Sequence, residues 1–213
     1  MLKSQDILVL LKLIVLQRAH QNKARRVSDE LPAKWHGWEM DGGDAMEPGG
    51  FDPAPPAEDP FSVRSLARAL GLSKSEISHS LRRSLGSGLV IRARESGKPQ
   101  PNAKALHELI VYGLKYVFPV QLGQLGRGIP TGVDAPVFDR LLYSAGEHSY
   151  VWPDPQGNAK GQSVEPLYRS VPHAVRLDAD LYAILALVDA IRLGRPRESA
   201  VAAKELKGRL GLK

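Results

Sequence analysis

Phe61–Arg94, FSVRSLARALGLSKSEISHSLRRSLGSGLVIRAR, decides the fold. Its apolar spacing predicts a helix, a tight turn, a second helix and then a strand. Counting from Val63, alanine stands fifth (Ala67), glycine ninth (Gly71) and isoleucine fifteenth (Ile77). Ala67 is small, so the second helix can cross close to the first. Gly71 can take positive φ at low cost and end the first helix in a left-handed cap. Ile77, Leu81 and Leu85 follow one another at i+4 and are expected in the core, against Leu66, Leu70 and Leu72. Ser73 or Ser75 can cap the second helix, whose outward face then carries Lys74, Ser75, Ser78, His79, Arg82 and Arg83. Gly88-Leu89 leads into the β-like run Val90–Arg94.

Two helices around a tight turn that run into a strand make a winged-helix pattern. Residues 65–90, SLARALGLSKSEISHSLRRSLGSGLV, resemble the DNA-reading core of MarR-type and related winged-helix transcriptional regulators. The resemblance is specific for the fold element and weak for the subfamily. It implies double-stranded DNA as partner, read in the major groove by helix 73–85. Residues near the start of such a helix approach base edges, and later ones reach phosphates. Ser75, Ser78 and His79 are therefore the candidate base readers, with Ser73 at the cap beside them. Arg82 suits a guanine or a phosphate, because arginine can bond guanine at two points. Lys74, Arg83, Arg92 and Arg94 are the candidate phosphate or minor-groove contacts, with Ser96-Gly97-Lys98 as the wing tip. Winged helices also serve as protein-docking or dimerisation modules. The basic, hydroxyl-rich outward face favours DNA.

Composition agrees with a polyanionic partner. The 213-residue chain carries a net charge of +6, with a pI of about 9.6. Residues 29–59 hold nine acids and one base, so that stretch is −8 and the remainder is +14. The stretch from His20 to Pro60 is dense in proline and glycine, as in DGGDAMEPGGFDPAPPAEDP, and reads as an acidic insertion between the first two helices. Trp35 and Trp38 are expected to pin its front end, and His36 between them has no second metal ligand at a useful spacing. The insertion reads as a solvated linker, or as a flap that competes with DNA for the basic face. The chain has no cysteine, which excludes disulfides and thiolate metal sites. Lys3, Asp6 and Lys12 interrupt the apolar run Leu2–Leu16, which is too short to span a bilayer and has no cleavage site after it. A cytoplasmic protein is expected.

Ser4 to Gln17 is predicted as a helix that is apolar almost all round. It is expected to pack across the helix-turn-helix and also to form a dimer seam, because a small domain can hardly cover it. A second strong helix is predicted from Ala103 to Phe118, capped by Asn102. The glycine-rich run Gly123–Gly132 lacks the lysine and hydroxyl of a phosphate-binding loop and reads as a surface turn carrying Arg127. A short helix is expected over 137–145, then irregular, proline-rich chain through Tyr150–Pro155 with a strand at Gln162–Val164, forming either a small sheet or a clasp around the last helices. Two further helices are predicted over 178–193 and 198–210. They form a hairpin whose bend gathers Arg192, Arg195 and Arg197, either as solvated charge or as a site for an acidic partner. The stretches EPLYRSVP (165–172) and LALVDAIRLGRPRE (185–198) resemble small bacterial helix-turn-helix regulators, some of them paired with nucleotidyltransferase toxins.

No G-x-S-x-G, H-E-x-x-H or phosphate-loop motif occurs, and the six histidines are scattered. No enzyme, cofactor or metal is expected. The sequence predicts a mostly α protein with a small β wing (α+β). A winged helix-turn-helix domain fills 1–101, with its insertion at about 20–60, and a helical dimerisation or partner-binding region fills 102–213. The expected function is that of a homodimeric transcriptional repressor. The alternative is an antitoxin-like interaction module whose C-terminal half binds a partner enzyme.

Overall fold

The computed structural model describes residues 1–23, 59–93, 99–139, 141–142 and 149–212. The acidic insertion, Trp35, His36, Trp38, Arg94 and the Ser96–Lys98 tip lie outside these. The chain is a mixed α/β structure in which one apolar core takes residues from both 1–101 and 102–213.

Helix α1 (Ser4–Lys23) is longer than predicted. Its residues Gln5 to Val15 are all buried, as an all-round apolar surface requires. The cover comes from within the chain, because α1 packs against α2 (Val63–Leu70), α3 (Lys74–Gly86) and α7 (Ala179–Leu193). Burial of α1 therefore needs no second copy. Lys12, near its middle, reaches Asp178 at the start of α7, with Nζ 2.5 Å from Oδ2.

After α3, β1 (Val90–Arg92) and β2 (Pro99–Pro101) pair antiparallel, Val90 opposite Pro101 and Arg92 opposite Pro99. Asn102 then accepts from the Ala105 amide and starts α4 (Ala103–Glu108). That helix runs on through a π-helical turn, Leu109–Gly113, into α5 (Leu114–Val117). The wide turn takes up an extra residue and keeps Leu106, Ile110 and Leu114 on the buried side.

The run Gly123–Gly132 is not a surface turn. Most of it lies in strand β3 (Leu122–Pro130), which pairs antiparallel with both β4 (Ser149–Pro153) and β5 (Ala159–Val164). β4 and β5 pair parallel, so the three strands close on themselves. Closure with so few strands leaves no space for side chains at the crossings. A Cβ on Gly128 would stand 2.0 Å from the Trp152 carbonyl oxygen, and one on Gly161 would stand 2.0 Å from that of Ser149. The glycines are there for close backbone approach. In place of the helix expected over 137–145, the described part holds a short 3-10 turn at Pro136–Phe138.

Helix α6 (Val171–Arg176) precedes α7, whose cap is Asp178, accepting from the Leu181 amide at 3.0 Å. From Leu181 to Arg192 α7 is buried on every side, beyond the stripe that its periodicity implies. Helix α8 (Pro196–Arg209) returns along it as the expected hairpin.

Candidate nucleic-acid interface

The α2–α3 unit is set by local hydrogen bonds. Ser62 caps α2 by accepting from the Ser65 amide at 3.1 Å. Gly71 ends it in the left-handed region, at φ 62° and ψ 35°, and the Leu72 amide turns back to the Ala67 carbonyl at 3.0 Å. Ser73 then caps α3 in a reciprocal box: its Oγ accepts from the Glu76 amide at 3.1 Å, and Glu76 Oε2 accepts from the Ser73 amide at 2.8 Å. The bond from the Ser73 backbone is the main cause that holds the Glu76 carboxyl below the usual glutamate range. Ser73, not Ser75, is thus the cap, and its hydroxyl is already engaged.

Ile77, Ser80 and Ser84 form the buried face of α3, with Leu81 and Leu85 packed at its margin. The opposite face presents Lys74, Ser75, Ser78, His79 and Arg82, all exposed. Among the described residues, no hydrogen bond or ion pair engages these five side chains. Arg92 is exposed at the end of β1.

Arg83 departs from its expected place on this surface. Its guanidinium turns back to α1, with Nε 2.8 Å from Asp6 Oδ2 and Nη2 2.6 Å from Oδ1. Asp6 is wholly buried and also accepts from the Lys3 amide at 2.8 Å. The hydrogen bond to Asp6 raises the already high pKa of Arg83. Arg83 is a tie between two helices and not a free phosphate contact. A hint lay in the sequence, because a carboxylate in an apolar helix must be partnered when it is buried.

Sequence reasoning also missed a group from the far end of the chain. Tyr168 donates its phenol to Glu76 Oε1 at 3.2 Å, and the Arg169 guanidinium lies 5.9 Å from the Tyr168 ring centroid. His173 on α6 packs against Gly71, where an added Cβ would stand 3.0 Å from its Cδ2. The α2–α3 turn is thereby backed by the C-terminal half. The signal available was the stretch EPLYRSVP, which carries Tyr168 and Arg169 but not their neighbours.

A second polar cluster is buried deep in the C-terminal half. Asp189 Oδ2 accepts from Trp152 Nε1 at 2.5 Å and Thr131 Oγ1 at 3.1 Å, while Oδ1 accepts from Arg192 at 2.6 Å. Arg192 Nε continues to the Phe118 carbonyl at 3.0 Å. Burial pushes the Asp189 carboxyl up, against the opposing pull of Arg192, Trp152 and Thr131. The cluster ties α7 to the strands and to the end of α5. Arg192 therefore does not join a surface cluster at the α7–α8 bend. Arg195 there pairs loosely with Glu198 at 3.5 Å, and Arg197 is exposed.

Among the described residues, no group of three histidines or carboxylates could hold a metal ion, and no helix is long and apolar enough to cross a membrane. No protein-family model matches the chain, and neither a curated protein nor a solved structure matches it.

Proposed function

We propose that the protein is a sequence-specific DNA-binding transcriptional regulator, a repressor that occludes a promoter, with α1–α3 and the β1–β2 hairpin acting as a winged helix-turn-helix. The observation that carries this reading is the outward face of α3. Five polar or basic side chains stand there exposed on a helix whose start, end and inner face are all fixed. Such a face suits the edges of bases and the phosphates that flank them. In this reading Ser75, Ser78 and His79 approach base edges, Arg82 bonds a guanine or a phosphate, and Lys74 and Arg92 meet the backbone. Arg83 contributes by holding the helix and not by touching DNA. The test is binding of duplex from the region upstream of the coding sequence, against scrambled duplex, over a salt series. The reading expects a preference for the native duplex that Ser78→Ala and Arg82→Ala abolish.

A second reading, assembly with another protein through the C-terminal half, is favoured by exposed apolar side chains on the π-helical turn, α5 and the start of β3. Tyr112 and Tyr116 are each 74% exposed, one helical turn apart, and Val117, Leu122 and Leu125 are exposed beside them in the chain. A second copy of this chain, or a partner enzyme as in the antitoxin-like alternative, would cover such a surface. Sedimentation of the protein and of Tyr112→Ser/Tyr116→Ser measures this directly: self-association lost in the variant supports a homodimer.

A further inference from the structure

The loop before α6 brings charge from the C-terminal half to the start of α3. Tyr168 Oη stands 3.2 Å from Glu76 Oε1, and the other Glu76 oxygen is held by the Ser73 amide at 2.8 Å. The Glu76 carboxylate thus links the cap of α3 to Tyr168. Arg169 packs over the Tyr168 ring and is itself exposed. Behind them His173 fills the space at Gly71, and its Nε2 lies 3.4 Å from the Arg68 carbonyl oxygen.

This arrangement answers an electrostatic problem in the proposed interface. The capping box places a carboxylate, Glu76, in the first turn of α3, which is the turn closest to bases in the proposed docking. An uncompensated carboxylate there would repel phosphates. Tyr168 donates a hydrogen bond to it, and the positive charge of Arg169 is close enough to help lower its pKa. A guanidinium held within cation–π reach of a ring is also less free than one on an open surface, so less entropy is lost when it binds an anion.

We propose that Arg169 extends the DNA-contacting face into the C-terminal half, as a phosphate contact beside the first turn of α3. This rests on the reading of α3 as a DNA-reading helix. Residues 165–173 are then part of the binding surface and not a cover over it.

The test uses the full chain and the same native and scrambled duplexes, with wild type, Arg82→Ala, Arg169→Gln, Arg169→Lys and Arg197→Gln. Removing one phosphate contact should reduce the slope of log affinity against log salt by about 1 and weaken both duplexes by the same factor. Arg169→Gln is expected to do so, Arg169→Lys to keep most of the slope, and Arg197→Gln, which removes the same charge at the α7–α8 bend, to change neither. The chain has no cysteine, so Arg169→Cys carrying an iron chelate gives a second measurement. Backbone cleavage confined to one edge of the site is expected. If Arg82→Ala loses the native preference while Arg169→Gln behaves like Arg197→Gln and the chelate leaves the duplex intact, the proposal falls and the α3 reading stands. Tighter binding by Arg169→Gln would show that the segment shields the face, which also overturns it. Failure of the wild type to bind either duplex overturns both.

Discussion

Arg83 on α3 and Asp6 on α1 form a two-point ion pair, 2.8 and 2.6 Å long, in which the carboxylate is wholly buried. The pair ties α3 to α1 and, together with the buried Ile77, Ser80 and Ser84, sets which residues face outward. Truncating Arg83 leaves a buried anion without its partner, which costs about 3–5 kcal/mol. Arg83→Ala should lose stability of that order in urea denaturation. The double variant Asp6→Leu/Arg83→Met, with no charge to strand, should recover most of it. Equal losses in the single and double variants would show that the pair is not what holds these helices.

The reciprocal cap at Ser73 and Glu76 predicts a smaller, pH-dependent effect. Ser73→Ala should cost about 0.5–2 kcal/mol at neutral pH. The folded-state pKa of Glu76 is lowered from 4.5, chiefly by the Ser73 backbone hydrogen bond. Its contribution is therefore present above pH 4.5 and lost as pH falls from there through the folded value. Stability of wild type and Glu76→Gln, measured across that range, should differ at neutral pH and converge in acid. A constant difference would contradict the assignment.

The closed three-strand unit makes opposite predictions for two glycines. A Cβ at Gly128 would meet the Trp152 carbonyl oxygen at 2.0 Å, whereas one at Gly208 on α8 meets nothing within 4 Å. Gly128→Ala cannot be accommodated without opening the strands and should cost more than about 4 kcal/mol, or prevent folding. Gly208→Ala should stabilise by up to about 1 kcal/mol, because alanine favours the helix. Thermal melts of the two variants check both signs.

Asp189 and Arg192 should behave as a buried unit. Asp189→Ala leaves the Arg192 guanidinium, only 3% exposed, without its carboxylate. The expected loss is about 3–5 kcal/mol, read by urea denaturation, with the Trp152 fluorescence altered as its indole loses its acceptor. A loss under about 1 kcal/mol would mean that the carbonyls of Phe118 and Glu165, which accept from the guanidinium at 3.0 and 3.4 Å, suffice for Arg192.

What was legible in the sequence was whatever rests on neighbours in the chain. Gly71 as a left-handed cap, a serine at the start of α3, Asn102 as a helix start and the α7–α8 hairpin follow from local hydrogen bonding and periodicity. What stayed hidden depends on distant partners. Arg83 reads as one more cation on a basic helix until Asp6, 77 residues earlier, is placed beside it. The glycines of 123–132 read as a turn because glycine marks both turns and close backbone approach. Only the strands at 149–153 and 159–164 distinguish the two. The dimer seam expected on α1 rested on the difficulty of covering an all-apolar helix, and α7 supplies that cover from within the chain.

The most direct test of the central claim is equilibrium binding of the full chain to native upstream duplex and to scrambled duplex over a salt series, with wild type and Ser78→Ala/Arg82→Ala. The account predicts tighter binding to the native duplex, a preference lost in the variant, and residual binding in the variant that is equal for both duplexes and falls steeply with salt. No binding at low salt, or equal binding of both duplexes by the wild type, would contradict it.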